Sequence, residues 1–145
     1  NDMTIVNNLI DALQYNEAKS ILLEKLKTFP NDTEVLDTLS EVLITLNENK
    51  EAIDVINKSI QIEPNKNAEK YMSLGQISQY NDSLKCYKKG IEIYLAELHS
   101  LVNNNNNNNI SNQEKENQEK IKKIKTDLAS AYSTIAELYM DSDLW

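Results

Sequence analysis

Residues 17–30 read EAKSILLEKLKTFP, and residues 51–64 read EAIDVINKSIQIEP. The two stretches align without a gap at an offset of 34. Glu17-Ala18 matches Glu51-Ala52, Leu22 matches Ile56, Leu26 matches Ile60, and Pro30 matches Pro64. A 34-residue period with Ala early in a helix and Pro after its end is the signature of tetratricopeptide (TPR) repeats. The physics behind it is simple. A small Ala lets two antiparallel helices approach closely. A Pro ends the second helix, because it lacks an N–H and disfavours the α conformation in the residue before it.

Working outward, the first unit pairs a helix over 4–11 with one over 17–29. The second pairs a helix from Thr33 or Glu34 to Leu46 with one from Lys50 to about Ile62. Leu36, Leu39 and Leu43 line the first of these, and Ala52, Ile53, Ile56 and Ile60 the second. Spacings of 3 and 4 put each set on one helical face. The third unit is about one turn shorter. It carries Tyr71, Leu74 and Gly75 in its first helix, then Ser83, Leu84, Tyr87, Gly90 and Ile91 in its second. The two glycines of the chain fall at expected close-packing positions. Tyr94, Leu95, Leu98 and Val102 extend the second stripe, which argues that Gly90 does not end that helix. A last stripe (Ile121, Ile124, Leu128, Ala131, Ile135, Leu138) opens a fourth unit. Glu116–Lys120 and Glu119–Lys123 are (i, i+4) pairs expected to support it.

The expected fold is all-α: seven helices in about 3.5 helix-turn-helix repeats (1–30, 31–66, 67–102 and a partial 113–145), stacked as a right-handed solenoid in one domain. Between the third and fourth units, seven consecutive Asn (103–109) and the polar residues 111–117 read as a low-complexity insert. Such tracts are expected as loops. A half repeat cannot bury its apolar face alone, so the chain reads as a fragment of a longer protein.

Composition narrows the function. The 145 residues carry a net charge of −8, all 15 basic residues are Lys, and the sequence pI is about 4.7. Such a surface is wrong for direct nucleic-acid binding. No apolar run approaches the roughly 20 residues needed to cross a membrane, and no signal peptide is expected. A lone Cys86 excludes an internal disulfide and fits a reducing compartment, cytoplasmic or nuclear. His99 has no metal-ligating neighbour in sequence. Cys86 has no recognisable base, and reads as a small packed residue. Asp141-Ser142-Asp143 lacks the Gly and the distal Glu of a calcium loop. No Gly-rich phosphate loop occurs. The expectation is no enzyme, no metal and no cofactor.

Charge placement suggests a partner instead. Residues 31–64 hold eight acids against Lys50 and Lys58. Glu34, Asp37 and Glu41 share one face of the first helix of the second unit. In TPR stacks such first helices line the inner groove, so these three are the candidate partner-binding residues; a solvated face is the alternative.

Two further stretches resemble a particular TPR family. One is Lys70-Tyr71-Met72-Ser73-Leu74-Gly75-Gln76, followed by Leu84, Tyr87, Lys88, Lys89, Gly90 and Ile91. The other is Ala136-Glu137-Leu138-Tyr139-Met140, followed by Asp143-Leu144. Together they resemble the assembly chaperones dedicated to ribosomal protein L-four. In that family an AEYLQ-like helix and a YxKGI helix form a shortened third unit, and an AE(I/L)YM-T-D-L stretch follows. This sequence has one residue more after Met140, and the Asn tract is additional. The resemblance implies a non-catalytic clamp for a basic loop of a new ribosomal protein, held in an acidic groove for ribosome biogenesis. A structural TPR subunit of a larger assembly is the alternative. A co-chaperone reading acidic heat-shock tails needs Lys, Arg and Asn on the inner helices; Asn7 meets this at one place, but Thr38 and acids stand where the second unit should supply polar or basic groups, which disfavours it.

Overall fold

A computed structural model describes residues 2–105 and 111–141. It holds seven α-helices and, among the described residues, no strand: α1 (Thr4–Asp11), α2 (Tyr15–Thr28), α3 (Thr33–Thr45), α4 (Asn49–Ile62), α5 (Ala68–Gln76), α6 (Tyr80–Asn105) and α7 (Ser111–Asp141). Two compact units divide the chain, residues 1–66 and 67–145. The boundary falls where the second repeat gives way to the third.

In the first unit the 34-residue period is written in the backbone itself. At the end of α1, Leu13 N–H donates to Ile10 C=O and Gln14 N–H to Leu9 C=O. At the end of α3, Asn47 N–H donates to Ile44 C=O and Glu48 N–H to Leu43 C=O. Each bond is the other moved by 34. Both are Schellman closures, which need a left-handed residue just past the helix. Leu13 (φ 60°) and Asn47 (φ 61°) fill that place. The exits of α2 and α4 repeat as well, with Phe29 N–H on Lys25 C=O and Glu63 N–H on Ser59 C=O. Asp32 caps α3, its side chain accepting from the N–H groups of Glu34 and Val35.

The core of this unit is the aligned set. Ala18, Leu22, Ala52 and Ile56 are completely buried, and Leu36, Leu39 and Leu43 nearly so. Burying a Leu or Ile contributes about 1.5–3 kcal/mol each. Neither alanine leaves any surface exposed, so a larger side chain there must displace packed neighbours. Lys19 pairs with Glu48 at 2.6 Å, and the Thr33 hydroxyl donates to Glu63 at 2.8 Å, tying the start of α3 to the end of α4.

In the second unit α5 packs on α6, and α6 on α7. α5 has 9 residues where α3 has 13, in line with the shortened third repeat. The short turn is held by the buried Ser83, whose hydroxyl lies 2.7 Å from the Gly75 carbonyl and 2.9 Å from that of Ser78. Both glycines mark close approaches. A Cβ on Gly75 would meet the Tyr87 ring at 2.7 Å, and one on Gly90 would come 3.3 Å from the Ala68 carbonyl oxygen. Gly90 lies inside α6, as the continuing stripe requires.

Three expectations are corrected in this unit. Along α6 the buried side is Tyr87, Ile91, Ile93 and Tyr94, whereas Leu95 and Val102 are 45% and 43% exposed. The loop expected over 103–117 is helical at both ends: Asn103–Asn105 extend α6 and Ser111–Asn117 begin α7. The 111–117 stretch is rich in Gln, Glu and Lys, which are good helix formers, and Glu114 sits favourably in the first turn. Residues 106–110 lie outside the described residues. Finally, the pairs Glu116–Lys120 and Glu119–Lys123 do not form. Lys123 reaches Asp127 at 2.9 Å and, across to α5, Glu69 at 3.1 Å. The stripe on α7 is otherwise as read, with Ile124, Leu128 and Ala131 buried.

Candidate functional site

Residue by residue, the α3 carboxylates divide. Glu34 and Glu41 are exposed, one in the first turn and the other two turns along. Asp37 between them is half-buried. Its carboxylate accepts a hydrogen bond from the Ser59 hydroxyl of α4 at 2.5 Å, and Ser59 is fully buried. So the 3-and-4 spacing places all three acids on one side of α3. The hairpin partner then draws the middle one inward. Asp37 helps hold α3 to α4 while keeping its charge beside the two exposed glutamates.

The sequence reading missed a second feature. In the second unit an open cavity of about 440 Å³ is lined by α5, α6 and α7. Ala68, Tyr94, Leu101 and Ile124 make its apolar surfaces. Glu69, Glu97 and Asp127 supply carboxylates, and Lys120 and Lys123 cations. The hydrogen bonds that Lys123 donates to Asp127 and then to Glu69 hold its ammonium protonated well above the usual lysine range. Those two carboxylates are therefore compensated. Glu97 differs. Although the residue is exposed, partial desolvation and the nearby Glu69 charge push its carboxyl above the ordinary value, with Lys123 opposing. Tyr94, 5% exposed, is pushed up to about 12, chiefly by burial and then by Asp127 and Glu69. Tyr94 was legible as an apolar stripe position, but nothing in the local sequence brings Glu69, Glu97 and Lys123 together. They meet only because three helices converge.

The remaining candidates carry no site chemistry. Burial, followed by the Asp82 charge, raises the Cys86 thiol, which disfavours the reactive thiolate. His99 is exposed, with its Nε2 3.2 Å from the Asn103 amide nitrogen. Among the described residues no group of three or more His, Cys, Asp or Glu could hold a metal ion. Asp141 ends α7, while Ser142 and Asp143 lie outside the described residues, as does Leu144 of the family-like stretch. No helix among the described residues is long and apolar enough to cross a membrane.

No protein-family model and no curated protein matches the sequence. Solved structures do match. One, described as "Assembly Chaperone of RpL4 (Acl4) (Residues 1-338)", superposes with a TM-score of 0.82 at 16% identity, covering 99% of this chain. Two structures of MamA superpose with TM-scores of 0.57 and 0.60 at 19% identity, covering 95% and 94% of it. The fold is that of the tetratricopeptide repeats. This chain spans 55% of the Acl4 chain, and 79% and 83% of the MamA chains.

Proposed function

We propose that this chain is a non-catalytic protein-binding module that holds a basic segment of a ribosomal protein, of the L4 kind, before assembly. The observation that carries the reading is the superposition over 99% of the chain on an assembly chaperone of RpL4. The charge pattern supports it independently. The first unit has twelve acids against six lysines. On α3, Glu34 and Glu41 offer exposed carboxylates, and Asp37 adds its charge between them. A segment rich in Lys and Arg would be attracted there and kept from RNA and from aggregation. The reading implies a cytoplasmic or nuclear location, with no cofactor and no membrane.

A second reading, a structural subunit of a larger assembly, draws on α7. There Tyr132, Tyr139 and Met140 are 51%, 44% and 70% exposed. Scaffolds pack through such apolar ridges, whereas a holder of basic clients works through acids. Salt separates the two. The test is titration of a Lys/Arg-rich loop peptide against the parent and a Glu34→Lys/Glu41→Lys variant at two salt concentrations. Asp37 is left in place because it holds Ser59. The double reversal is expected to weaken binding about tenfold at low salt, equivalent to about 1.4 kcal/mol, and high salt should shrink the difference. Binding indifferent to both the reversal and the salt would remove the acidic-face reading and favour the scaffold.

A further inference from the structure

We draw no further inference here: the strongest candidate, the exposed apolar face of α7 at Tyr132, Ala136 and Met140, carries none because nothing in the structure shows what covers it.

Discussion

At the scale of single residues, the two Schellman closures of the first unit are a matched pair with unmatched side chains. Asn47 tolerates the left-handed conformation, because its short amide can hydrogen-bond locally. Leu13 holds φ 60° with a branched side chain that is 71% exposed. No buried contact offsets its backbone cost. Leu13→Gly removes the clash of Cβ with the carbonyl, but adds freedom to the unfolded chain, so the two effects partly cancel. The net expectation is stabilisation by about 0.5–1 kcal/mol, read as a higher urea midpoint at unchanged slope. A midpoint that falls would mean that Leu13 makes an apolar contact worth more than its strain. Asp37 teaches the opposite lesson about sequence. Its spacing from Glu34 and Glu41 announces a shared face, yet its bond to Ser59 depends on how α3 lies against α4. Helical periodicity alone does not determine that alignment.

Among elements, the α3–α4 hairpin was the most legible, because every local signal agreed. Asp32 caps its first helix, Asn47 turns the chain, Ala52 is fully buried and Pro64 follows the end. Ala52→Leu puts three more carbons where the parent side chain is fully buried. It is expected to destabilise by roughly 1–3 kcal/mol through overpacking, measured as a lower urea midpoint with the helical circular dichroism retained. Midpoints that coincide would place Ala52 away from the helix crossing. The α6 and α7 ends were less legible for a physical reason. Asn, Gln, Glu and Lys without an apolar stripe look like loop by composition, because no burial favours a helix there. The propensity of Gln, Glu and Lys still favours one, and both prolines of the chain lie at or before residue 64, so nothing breaks the helix. Lys123 is a related case. A local partner at Glu119 was available, but Asp127 and the distant Glu69 hold it instead, a choice that only tertiary packing can make.

Taken as a whole molecule, the chain distributes its charge unevenly along its length. Residues 1–66 carry twelve acids and six lysines, and residues 67–145 eleven and nine. The first excess was readable directly, because α3 concentrates acids on one face. The cavity was not, because Glu69, Glu97 and Lys123 belong to three helices and look unremarkable on each. Exposed carboxylates such as Glu34 and Glu41 work at a distance in high dielectric, where they raise the encounter rate and are screened beyond about 8–10 Å at physiological salt. Stopped-flow kinetics with a Lys/Arg-rich loop peptide reads this directly. Raising salt, or reversing Glu34 and Glu41 to Lys, should slow association several-fold and leave dissociation nearly unchanged. If the double reversal left the association rate unchanged and only hastened dissociation, Glu34 and Glu41 would act as contact groups and not as a screened, steering surface charge.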